Sequence, residues 1–293
     1  MAEQIVWTSA DGGTVIDLTD NSAGYTVQAN GTRGLRSVAY EVTTTKYAGI
    51  DGENVDAIQA LPNTPTLGLL VESMTGDEGS LRAKIRNLVH AMRPKAGPGS
   101  LTVSNELGDR RSLTCYCTGG YEGDEAVDIT LPGRWWKVAL KLYAADPWWY
   151  GAQQSVALGL SAGPNFFPIF PLNLAPSSVQ GAFTVDLSTA DTTSYPLWTI
   201  TGPGSALTLT NTTTGQVITV NAALSPGQSM IIDTRPGFQS VRRDDGTNLM
   251  GSVSSDPALW GLIEGVNAVT AQLTGATTAS RITGVYSPRY AGI

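Results

Sequence analysis

The chain has 293 residues, a formal net charge of −7 at pH 7, two cysteines and a single histidine. A hydrophobic fraction of 41% against a charged fraction of 15% supplies material for packed cores and excludes a disordered chain. The acidic balance argues against tight nucleic-acid binding, two cysteines exclude a disulfide framework, and a lone His90 excludes the usual His-based metal sites and Ser-His or Cys-His catalysis.

The length exceeds what one core usually serves, so two domains are expected. At the N-terminus no basic region precedes an apolar run, so no signal peptide is expected, and no apolar run reaches the length of a membrane span. Residues 5–8 and 14–18 alternate on either side of Asp11-Gly12-Gly13, which predicts a hairpin. Strands are expected at 25–27, 35–42 and 67–72, with a long loop over 46–66 rich in Gly, Pro, Asn and Asp.

One helix is predicted over 80–93. Leu81, Ile85, Leu88, Val89 and Met92 fall on one apolar stripe, with Thr75, Asp77 or Ser80 as caps and Pro94 as the stop. Arg82, Lys84, Arg86, His90, Arg93 and Lys95 cover the remainder, as a solvated face or as a contact for acidic loops of another subunit. Strands return at 100–104 and at 111–120, where Cys115 and Cys117 share one face and read as packed thiols. One helix set among antiparallel strands makes an α+β domain.

The stretch 135–151 closes that domain. Trp136, Val138, Leu140 and Leu142 alternate with Trp135, Lys137, Ala139, Lys141 and Tyr143, which is a strand with one face in a core. Asp146-Pro147 stops it. Before Tyr150 the chain carries 13 basic and 18 acidic residues; after it, only 5 and 7. The run 163–171 is extended and proline-broken. Short strands then recur at 183–187, 196–201, 206–211, 216–221, 229–234, 240–243, 268–273 and 281–286, separated by Gly/Pro turns, the pattern of a β-sandwich.

Chemistry is hard to place. Gly159-Leu160-Ser161-Ala162-Gly163 matches a nucleophile elbow, but Pro164 follows where a helix is needed and no histidine follows at all. Asp124-Glu125 lacks a placeable partner carboxylate for a glycosidase pair. Asp244-Asp245-Gly246 reads as a tight turn, because it lacks the spacing of a calcium loop. Trp198 alternates with core positions; Trp260 is open to either a core or a sugar-stacking role. No catalytic, cofactor or metal residue is assigned, and no enzymatic activity or cofactor is expected.

The ordered set RPKAGPGSL, SLTCYC with GGYEG, WKVALKLYAADPWWYG, YPLWTITGPGSALTLTNTTTG, MIIDTRPGFQSVRRDDGTN and the late YSPRY resembles the distal tail proteins of long-tailed, non-contractile bacteriophages. It departs where a Pro-Gly turn is expected before the late strand and Glu264-Gly265 stands. The resemblance implies a mainly β fold: a split β-barrel with one α-helix in an α+β domain, residues 1–150, then a galectin-like β-sandwich, residues 151–293. It also implies a homo-hexameric ring at the tail tip of the virion, assembled in the host cytoplasm. That ring would join the tail tube protein to a tail-associated hub or lysin protein and to receptor-binding proteins. DNA would pass through its lumen without specific binding, and no membrane is involved. The basic helix face, with acidic loops at 51–56 and 122–128, places ring formation in the first domain by head-to-tail contact. The alternative reading is a carbohydrate-binding module contacting a host cell-wall glycan.

Overall fold

The computed structural model describes residues 3–106, 108–122, 135–159, 178–254 and 259–293. The elbow serine Ser161, the run 163–171, the pair Asp124-Glu125 and most of the acidic loop 122–128 lie outside the described residues. The chain divides into two compact units, Met1–Ala152 with Tyr290–Ile293, and Gln153–Arg289.

The first unit opens with β1 (Gln4–Thr8) and β2 (Val15–Asp17), paired antiparallel across the Asp11-Gly12 turn. β3 (Tyr25–Arg33), β4 (Tyr40–Thr45), β5 (Asn54–Ala60) and β6 (Thr66–Glu72) precede the helix α1 (Glu78–Ala91). After it come β7 (Gly99–Ser104), β8 (Arg110–Gly119), β9 (Trp135–Tyr143) and β10 (Trp149–Tyr150). Among the described residues the main sheet runs β2-β1-β7-β8-β9-β6-β3.

Its core follows from the alternation of β9. Leu140, Val138 and Trp136 lie opposite Leu67, Leu69 and Val71 of β6, and all six are buried. Cys115 and Cys117 of β8 join the same core as free thiols. Leu81, Leu88 and Met92 bring α1 onto it, and the indole N–H of Trp7 donates to the Ala91 carbonyl at 3.0 Å. The helix starts two residues earlier than its periodicity predicts, because Asp77 is the cap: its carboxylate accepts the Ser80 N–H at 2.7 Å. Val89, counted in the apolar stripe, is exposed.

Two strand expectations change. β4 begins at Tyr40 and not at Leu35, and the expected loop over 46–66 contains β5, which pairs with β4 as a separate two-stranded sheet. The last residues change as well. β20 (Arg289–Tyr290) pairs with β10, and Tyr290–Ile293 groups with the first unit, although the sequence places them in the second. The Ile293 N–H donates to the Leu35 carbonyl at 3.1 Å, and Ile293 packs against the first core.

The second unit holds β11 (Gln154–Gly159), β12 (Ser178–Leu187), β13 (Leu197–Thr201), β14 (Ala206–Asn211), β15 (Gln216–Val220), β16 (Ser229–Asp233), β17 (Ser240–Arg243), β18 (Gly265–Thr274) and β19 (Arg281–Tyr286). They form two antiparallel sheets, β11-β19-β13-β16-β17 and β12-β18-β14-β15. Their inner faces share one core, in which Trp198 of β13 meets Phe183 of β12 at 5.8 Å between ring centroids. Gly284 of β19 lies opposite Trp198, where a Cβ would come within 2.4 Å of the indole. The turn that departs from the tail-protein pattern is served by Gly265 alone, at φ 84°.

Candidate assembly surfaces

The residues singled out for chemistry do not converge. Cys115 and Cys117 lie in the first core, and burial pushes the Cys115 thiol up to about 12. His90 is exposed on α1. Asp244-Asp245-Gly246 is a tight turn in which Asp245 accepts the Thr247 N–H at 2.8 Å, with Gly246 at φ 86°. No group of three or more His, Cys, Asp or Glu residues is placed to hold a metal among the described residues. Trp198 and Trp260 are 1% and 3% exposed and meet edge to face at 6.0 Å, so both are core residues and neither offers a face to a sugar.

What the first unit does present is surface. On α1, Arg82, Arg86 and Val89 recur at helical spacing and are exposed, and Arg93 is exposed just beyond the end of the helix. Arg82 pairs with Glu78 one turn back. Lys84, expected on this face, instead turns inward. Its ammonium donates to the Ala23 carbonyl at 2.6 Å and the Glu72 carbonyl at 2.8 Å, and so bolts the helix to the chain just before β3 and to the last residue of β6.

The second surface is the β4–β5 arm, missed in the sequence as a strand pair. Tyr40 lies opposite Ala60, Val42 opposite Ile58, and Thr44 opposite Val55, so these six side chains share one face. Tyr40, Val42, Val55 and Ile58 are 50%, 51%, 53% and 64% exposed. Glu41, Gln59, Thr43 and Ala57 take the other face. The arm is amphipathic, with its apolar side uncovered. Near its turn the Glu53 carboxylate accepts from the Thr44 hydroxyl at 2.5 Å, and the Asp56 carboxylate accepts from the Thr45 hydroxyl. A groove of about 430 Å³ lies elsewhere on the first unit, bordered by Glu3, Val27, Gln28, Arg33, Arg36 and Ile293. Its charges are mixed, and Arg36 reaches Glu3 at 3.8 Å.

In the second unit, residues 188–290 match the family described as siphovirus-type tail component, C-terminal domain. Solved structures extend the likeness of fold to the whole length. The chain is similar to the SPP1 Dit protein, described as a paradigm of the hub adsorption apparatus in phages infecting Gram-positive bacteria, at TM-score 0.66 and 17% identity, covering 98% of this chain and 99% of that one. It is also similar to a chain of the phage P2 baseplate in its activated conformation, at TM-score 0.51 and 11% identity, covering 99% and 98%. Among curated protein sequences nothing matches.

Proposed function

We propose that this chain is a structural protein of the phage tail tip, a ring-forming distal tail component that joins the tail tube to the adsorption apparatus. The observation that carries this reading is the siphovirus tail-component domain at residues 188–290 within a chain whose whole length has the fold of a tail hub protein. Copies of the chain close into a hexameric ring through their first units. The ring meets the tail tube protein on one side and hub and receptor-binding proteins on the other, and DNA crosses its lumen. The net acidic composition suits such a conduit, since it repels the phosphate backbone and does not hold it. The ring assembles in the host cytoplasm and remains in the virion.

The purified chain is tested by native mass and negative-stain imaging. Closed rings of six copies are expected. A monomer under all salt conditions, or an open filament, would overturn the ring. The carbohydrate-binding alternative rested on an exposed aromatic platform, and the second unit buries both tryptophans that were candidates for it.

A further inference from the structure

We propose that Asn30-Gly31 is a site of spontaneous covalent modification, where the asparagine converts through a succinimide to aspartate and isoaspartate, and that the isoaspartyl product undoes the bulge of β3.

This is the only Asn-Gly pair in the chain. Glycine has no side chain to shield its amide nitrogen, so that nitrogen can swing onto the carboxamide before it. The fold leaves the pair open. Asn30 is exposed, and its carboxamide makes no hydrogen bond among the described residues. Asn21 and Asn248 have theirs engaged: the side-chain oxygens accept from the Thr26 hydroxyl at 2.7 Å and from the Met250 N–H at 2.9 Å. The pair also sits where β3 leaves its ladder. The register with β6 shifts between Gln28 and Arg33, so no ladder pair with β6 fixes residues 29–32, and Gly31 stands at φ 90°.

The atoms balance with water as the only reagent. The Gly31 nitrogen gives its proton to solvent and bonds to Asn30 Cγ. The Cγ–Nδ2 bond breaks, and the departing nitrogen takes a proton from solvent and leaves as ammonia. Water then opens the ring at one of its two carbonyls. Opening at Cγ gives aspartate. Opening at the backbone carbonyl gives isoaspartate, whose main chain runs through Cβ and Cγ and is one carbon longer.

The bulge has no room for that carbon. Thr32 ties its two sides: its hydroxyl donates to the Gln28 carbonyl at 2.5 Å and accepts the Gly68 N–H of β6 at 3.1 Å. The Asn30 carbonyl oxygen already lies against β6, within 2.1 Å of where a Cβ on Gly68 would stand. A longer chain between residues 30 and 31 pulls Thr32 off one partner or the other. Val27, Gln28, Ala29, Thr32 and Arg33 line the groove of the first unit, so the groove changes shape with the bulge.

The test holds the full chain folded at mildly alkaline pH beside a sample in urea. The peptide containing Asn30 is followed by mass for conversion of amide to acid, and isoaspartate is read by enzymatic methylation. Native conversion is expected within about 30-fold of the unfolded rate, because only local opening of the bulge opposes it. Asn30→Gln, which would need a larger ring, is expected to fold and to stay unmodified. Hydrogen exchange at the Gly68 amide is expected to be about tenfold faster in the purified isoaspartyl form than in the variant Asn30→Asp, which carries the same charge on a backbone of normal length. A slower native conversion, or acid formed at this peptide in Asn30→Gln, overturns the site. Equal exchange at Gly68 in the isoaspartyl form and in Asn30→Asp overturns its effect on the bulge.

Discussion

The guanidinium of Arg111 lies 3.8 Å above the ring of Tyr290. The same side chain donates to the Gly292 carbonyl at 2.5 Å, so one residue of β8 holds the segment 290–293 by its ring and by its backbone. Gly292 fits because a Cβ there would meet the Arg36 backbone at 2.3 Å.

Arg111→Ala is therefore expected to release residues 290–293 and to destabilise the first unit by about 1–3 kcal/mol. Hydrogen exchange over 290–293 measures the release, and urea unfolding measures the cost. Arg111→Lys keeps a charge but loses the flat stack, and should fall between the two. Unchanged exchange in the alanine variant would mean that the pairing with β10 and the packing of Ile293 secure the segment without Arg111.

The inward turn of Lys84 predicts a contrast on one helix. Lys84→Met removes the donor to Ala23 and Glu72 carbonyls and should cost about 2 kcal/mol, the scale of a hydrogen bond to a charged group. Arg86→Met, on the exposed stripe, should change monomer stability by less than about 0.5 kcal/mol. Equal losses in the two variants would contradict the structural role of Lys84.

Trp260 separates a core from a binding platform. Trp260→Ala is expected to destabilise the second unit by about 3–5 kcal/mol, and Trp260→Phe by much less. A near-neutral alanine variant that loses affinity for wall polysaccharide would restore the carbohydrate reading.

The buried thiols give a pH prediction. With the Cys115 thiol pushed up to about 12 by burial, the native protein holds it protonated where an unfolded chain would ionise it near 8.5. Its contribution to stability is whole below about pH 8.5 and is lost progressively as pH rises from there towards 12. Alkylation at pH 8 should therefore be slow in the native state and become fast on addition of denaturant. Rapid native labelling of Cys115 would contradict its burial.

Much of this architecture was written in period two. Trp136, Val138, Leu140 and Leu142 declared β9 and its buried face, and Trp198 declared the core of the sandwich. β5 was hidden for a definable reason. The register shifts between Thr43 and Thr44, which leaves Asp56 as the extra residue and puts Val55 and Ile58, three apart, on the same face. A bulge erases the alternation by which a strand is recognised. Exposure of that face removed the other cue, since neither side of the arm reads as core. Val89 failed in the opposite sense: its spacing fits the apolar stripe, but α1 meets the core along a narrower line through Leu81, Leu88 and Met92. The segment 290–293 had no local signal at all, because its place depends on Arg111 and Leu35 far upstream.

That last dependence sets an order on the birth of the molecule. The first unit begins at the N-terminal end of the chain, yet β20 and Ile293 belong to its sheet and core. On a ribosome, β1 to β10 emerge long before Tyr290 does, and the whole sandwich is made in the interval. The second unit, residues 153–289, can complete its own sheets as soon as β19 is free, whereas the first waits for the stretch that slots in beside β10. Until then Arg111 and Leu35 lack their final partners. A released chain ending at residue 289 should thus carry a finished sandwich and an unfinished first unit.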